Sequence, residues 1–87
     1  MTSTLTGPES EILDLLTMSP ESSGQLIDML ASETVDELVG LAGSVEAGVD
    51  RALERLRTLG LVDFSPTYND WQPTRLGSAT AAAVRPD

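Results

Sequence analysis

Apolar residues recur at steps of three and four along most of this chain, and proline, glycine or hydroxyl residues interrupt them where helices should end. Met1 to Gly7 is small and polar with no periodicity and is expected to be a disordered tail. From Pro8 the pattern changes. Proline suits a first helical position, Glu9 and Glu11 sit where the positive helix end favours carboxylates, and Ile12, Leu13, Leu15 and Leu16 form a stripe, predicting a helix over Pro8 to Thr17. Ser19-Pro20 breaks it, because proline disfavours helical geometry in the residue before it. Ser22 and Gln25 match a capping box ahead of Leu26, Ile27, Met29 and Leu30, which predicts a second helix to Ala31. Thr34 with Glu37 reads as another capping box, opening a helix of about two turns with Val35, Leu38, Val39 and Leu41 on one face and Gly43 as its stop. Ser44 then caps the longest helix, whose inward positions are Val45, Val49, Ala52, Leu53, Leu56 and Leu59, with Gly60 at its end.

After Gly60 the period shortens. Leu61 to Phe64 reads as a strand, Ser65 to Asp70 carries turn chemistry, and Trp71-Gln72 returns antiparallel with Trp71 opposite Phe64. Thr74 caps a last helix through Leu76, Ala79, Ala82 and Ala83, and Arg85-Pro86-Asp87 ends it. A short helix, a glycine turn, a longer helix and a hairpin predict a mainly α fold with a small β-hairpin, a winged helix-turn-helix, over residues 8–87.

Eighty-seven residues accommodate one small domain, and with 40% hydrophobic but only 3% aromatic residues its core must come mainly from Leu, Val, Ile, Met and Ala. Composition then removes most chemistry. The chain has no Cys and no His, which excludes disulfides, thiolate nucleophiles, cysteine-ligated zinc and the imidazole base. Its basic residues are all arginines, at 51, 55, 57, 75 and 85, so a P-loop or Schiff-base lysine cannot exist and an autonomous ATPase is ruled out. Aspartates and glutamates show no EF-hand spacing; Glu37 reads as a cap, and Glu33 and Asp36 as surface charges that complement a helix dipole. No catalytic residue, cofactor or metal site is assigned, and the protein is expected not to be an enzyme.

Fourteen acids against five arginines leave a net charge of -9, which repels polyanions and counts against tight DNA binding by this chain alone. Acid enrichment without lysine resembles proteins of salt-loving archaea, where salt at 1 M screens charge within roughly 3 Å. No cationic segment with a following apolar run opens the chain, and no stretch approaches the ~20 apolar residues a membrane helix needs, so a cytoplasmic protein with no membrane contact is expected.

The segment Leu56-Arg-Thr-Leu-Gly-Leu-Val62 followed by the hairpin resembles the winged-helix superfamily. Trp71-Gln-Pro-Thr-Arg-Leu-Gly-Ser-Ala79 more particularly resembles the end of the winged-helix domain in Ski2-like DNA-repair helicases of archaea, and MarR-type transcription factors share a looser Leu-Thr-x-x-Gly version. The resemblance runs from about Glu11 to Pro86. It implies that Thr74 caps a helix, Leu76 enters the core and Gly77 allows close packing against the wing. It also implies a module that docks on helicase motor domains and helps frame the strand path, with ATP chemistry left to those motors.

Arg51 and Arg55 stand one turn apart on the same side of the long helix, where phosphate contact is geometrically feasible; Tyr68 and Asn69 at the wing tip would add accessory contacts. Competing with this, Glu54 lies three residues from both Arg51 and Arg57 and can offset them on a solvated face, while Glu46 and Asp50 oppose phosphate at the helix start. Trp71 is expected to pack in the wing rather than stack on an unpaired base. The expected function is a non-enzymatic nucleic-acid-binding module, a helicase-associated accessory domain or DNA-binding regulator, holding duplex or forked DNA weakly when alone and partnered by a helicase motor or another protein. Two alternatives stand beside it: a protein or peptide interaction module whose acidic face seeks a basic partner, and a dimeric MarR-like transcription factor. Oligomeric state and DNA preference stay open.

Overall fold

The computed structural model describes residues 5–84. Met1 to Thr4 and the terminal Arg85-Pro86-Asp87, to which the sequence assigned a tail and a chain end, lie outside the described residues.

The first helix, α1 (Gly7–Met18), starts earlier than the pattern of leucines indicates. Thr6 Oγ1 accepts the Glu9 N–H at 3.3 Å and the Glu9 carboxylate accepts the Thr6 N–H at 2.9 Å, a reciprocal capping box that satisfies two end donors at once. Part of the expected disordered tail is therefore folded: Leu5 packs against the core, Thr6 caps and Gly7 opens the helix. The signal was Thr6-Gly-Pro-Glu9 itself, with Pro8 in the first turn where a missing N–H costs nothing.

Helix α2 (Ser23–Met29) carries the expected Ser22–Gln25 box but stops two residues short of Ala31, at the extended Leu30. Helix α3 (Ser32–Ala42) corrects the Thr34–Glu37 box: it begins at Ser32, is 11 residues long, and has no side-chain cap of its own. Its start is held from α1 instead, where the two oxygens of Glu11 accept the Ala31 N–H at 2.8 Å and the Thr34 hydroxyl. Thr34 lies inside α3, two residues after its start, so its hydroxyl is not at an N-cap and donates instead to the Glu11 carboxylate. Gly43 ends α3 at φ 91°, the left-handed geometry glycine adopts without penalty, and Ser44 caps α4 (Val45–Thr58) by accepting the Ala47 N–H at 3.1 Å.

Strands β1 (Val62–Ser65) and β2 (Asp70–Pro73) pair antiparallel, with Phe64 opposite Trp71 as the sequence predicts. Their rings meet edge to face at 5.2 Å, the orientation that ring quadrupoles favour. The free edge of β2 is partly covered: the Trp71 N–H donates to the Glu21 carbonyl at 2.8 Å, and the Glu21 N–H donates back at 3.2 Å. The Ser19-Pro20 break thus leads into an isolated β-bridge.

Helix α5 (Arg75–Val84) follows Thr74, whose hydroxyl accepts the Gly77 N–H at 3.0 Å and donates to the Gly60 carbonyl at 2.6 Å. The cap is as expected, but the buried face is not. A Cβ at Gly77 would stand 1.9 Å from the Leu61 carbonyl oxygen, so residue 77 must face the strand and Ala81, one turn on, faces the core with it. Leu76 is rotated out and is 57% exposed, which corrects its assignment to the core; Ala79, Ala82 and Ala83 are exposed with it.

The result is a mainly helical fold with a two-stranded antiparallel sheet. Ile12, Leu13 and Leu16 of α1 meet Val49, Leu53 and Leu56 of α4 at its centre, all essentially inaccessible to solvent. Removing leucine-sized side chains from water stabilises by roughly 1.5–3 kcal/mol each, which is how a core with so few aromatic rings holds together. Three positions expected on inward faces, Val39, Leu41 and Leu59, are exposed instead, because α3 and α4 turn only a narrow stripe inward. Among the described residues, no helix is long and apolar enough to cross a membrane.

Candidate nucleic-acid interface

The outer side of α4 follows from its inner one. With Val49, Ala52, Leu53 and Leu56 buried, the 3.6-residue period leaves Glu46, Asp50, Arg51, Glu54, Arg55 and Arg57 outside, and all are exposed. This surface carries three acids and three arginines, and sequence spacing alone gives no ranking among the arginines.

The fold does rank them. The Arg55 guanidinium forms an ion pair through Nη1 with Oε1 of Glu9, whose side chain is only 8% exposed while that of Arg55 is 42% exposed. The same Glu9 oxygen accepts the Thr6 N–H, so a buried carboxylate that would be costly alone is satisfied by one cation and one backbone donor. Arg55 therefore ties α4 to the start of α1 and is no simple phosphate contact. Glu54, expected to offset Arg51 and Arg57, makes no ion pair among the described residues; that of Arg55 spans 46 positions. The only trace of it in the sequence was the capping position of Glu9, which fixes where that carboxylate must lie.

The side chain of Arg51, one turn earlier, makes no ion pair or hydrogen bond to another described residue. It and Arg55 line the same groove of about 340 Å³, bounded by the start of α1, the end of α3 and the flank of α4. The groove exists because α3 and α4 cross closely at a glycine: a Cβ on Gly48 would stand 2.7 Å from the Cβ of Leu38. Two arginines on one helix flank are thus brought together as the spacing predicts, though in different states.

Tyr68, 73% exposed, and Asn69, at φ 55°, form the tip of the hairpin and are not among the residues lining that groove. Asparagine tolerates the left-handed region better than most non-glycine residues, so the tip needs no glycine. Asp63 lies within β1 and Asp70 opens β2. Trp71 is half-buried against the core and against Phe64, which places its ring in packing. The described residues gather no group of three or more acids that could hold a metal ion. No protein-family model matches the chain, and neither a curated protein nor a solved structure matches it.

Proposed function

We propose that this chain is a non-enzymatic winged-helix module that contacts nucleic acid through α4 and the tip of its hairpin. The observation that carries this is the placement of α4: it follows α3 after the Gly43-Ser44 turn, keeps one face in the core, and leaves Arg51 uncommitted on the other. In this reading Arg51 meets a backbone phosphate, Arg55 stands beside it with its Nη1 held by Glu9, and Tyr68 and Asn69 make accessory contacts. Surrounding acids keep non-specific affinity low, so a partner such as a helicase motor, which the resemblance to Ski2-like helicases suggests, would supply the remainder.

The test is a titration of labelled single-stranded, forked and duplex DNA at several salt concentrations, repeated with Arg51→Ala. Losing one phosphate contact should weaken binding of every DNA form to a similar degree and lower the salt slope by about 1. If no DNA form moves the amide resonances of α4 or the hairpin, the proposal is wrong.

A second reading, a polypeptide-binding module, is favoured by one observation: Leu76 lies exposed on α5, a helix that contains no acidic residue in a chain of net charge -9. Isolated surface leucines are common, but an acid-free surface is where an apolar partner is least repelled. Loss of partner binding with Leu76→Asp, with DNA affinity unchanged, would separate the two readings.

A further inference from the structure

The groove beside α4 has an apolar wall next to Arg51 that phosphate contact does not use. Leu38, Gly48 and Ala52 are buried and form its depth, while Leu41, 66% exposed, stands at its rim. The close crossing at Gly48 holds α3 and α4 in register while the small residues on α4 leave a hollow between leucine and proline walls. At about 340 Å³ it falls at the small end of the roughly 300–1,000 Å³ typical of small-molecule sites.

Its charge is the reverse of the molecule's. The chain carries -9, yet the groove is lined by two arginines and one glutamate. Glu9 is neutralised by Arg55 and by the Thr6 N–H, so one positive charge, that of Arg51, has no counter-ion among the described residues. A planar guanidinium matches the two oxygens of a carboxylate, and an apolar wall beside it suits an aliphatic chain. Acidic surroundings oppose a ligand with several negative charges, whereas a single carboxylate matches the single unbalanced cation.

We propose that this groove binds a small amphipathic monocarboxylate, its aliphatic chain against Leu38, Ala42 and Ala52 and its carboxylate on Arg51. The site stands whether or not nucleic acid is a partner, and its test uses no DNA.

Amide resonances of the isotopically labelled full chain would be followed while octanoate, 1-octanol or octylammonium is added, at low and at high salt. Octanoate should saturably shift Leu41, Ala42, Gly48 and Ala52, bind about tenfold tighter than octanol, and lose that advantage as salt rises. Octylammonium should not bind in the groove. Arg51→Gln should reduce octanoate to the level of octanol, Arg51→Lys should keep part of the preference, and Arg57→Gln, on the other flank of α4, should keep all of it. Arg51 is exposed, so these variants should fold, and circular dichroism checks that they do. Equal binding of all three probes, shifts that never saturate and spread to Met18 and Leu76, or an unchanged preference in Arg51→Gln would overturn the proposal.

Discussion

Helix α4 is joined to α1 by charge, through Arg55 on a buried Glu9, whereas α5 is joined to the backbone ahead of β1 by the absence of a side chain at Gly77. An ion pair across two helices tolerates small movements, because a guanidinium on a flexible stem can follow its carboxylate. A helix on which a Cβ at residue 77 would stand 1.9 Å from the Leu61 carbonyl oxygen has no such slack, since a backbone oxygen cannot turn away. The first contact sets which parts of the surface are charged, and the second sets the rotation of a whole helix. Small domains have both kinds of joint, and they should fail differently.

Substitutions at Gly77, at Glu9 with its partner Arg55, and at Thr74 test that contrast. The largest effect is expected at Gly77→Ala, where one methyl group must displace α5 or the Leu61 carbonyl; a loss of about 3 kcal/mol or more in urea unfolding is expected, at the upper end of overpacking effects. A loss below ~1 kcal/mol would mean α5 can slide, and the rigid half of the comparison would fall. Next is Glu9→Ala, which removes the N3 cap and the partner of Arg55. Because half-exposed Arg55 can rehydrate, the expected cost is about 2 kcal/mol rather than that of a fully buried pair. Glu9→Gln, which retains an acceptor for the Thr6 N–H, should recover part of it, and a double-mutant cycle with Arg55→Ala should show that the two positions do not add. The smallest effect belongs to Thr74→Val, which deprives the Gly77 N–H of its cap and the Gly60 carbonyl of its donor. A loss of about 1 kcal/mol in thermal unfolding is expected, with Thr74→Ser near the native value.

How these joints show in the sequence depends on the distance along the chain between their parts. Ser22–Gln25, Ser44 and Thr74 are legible caps because donor and acceptor lie within three residues of each other. Thr6–Glu9 belongs to the same class, but the proline and the polar segment before it place the expected helix boundary one residue later. Thr34 misleads for the opposite reason: Glu37 sits at cap spacing, but Thr34 lies inside α3 and its hydroxyl donates to Glu11, 23 residues away. The hairpin and its Phe64–Trp71 pair were legible because turn chemistry fixes register over a short span. The candidate site was legible in part. Helical spacing placed Arg51 and Arg55 on one flank, but nothing local distinguishes an arginine facing solvent from one tied to a carboxylate on another helix.

Residue types and near neighbours are enough to set the order of elements, most helix ends, the hairpin, and a side-chain repertoire without Cys, His or Lys, because each depends on groups at most a few positions apart. Packing between elements is what assigns Arg55 to Glu9, Glu11 to the start of α3 and Glu21 to the edge of β2, and what turns Gly77 rather than Leu76 inward. Each of these is a pairing between groups far apart in the chain. Their energy is realised only after the core has brought two elements into contact, so periodicity, which describes one element at a time, carries no record of it.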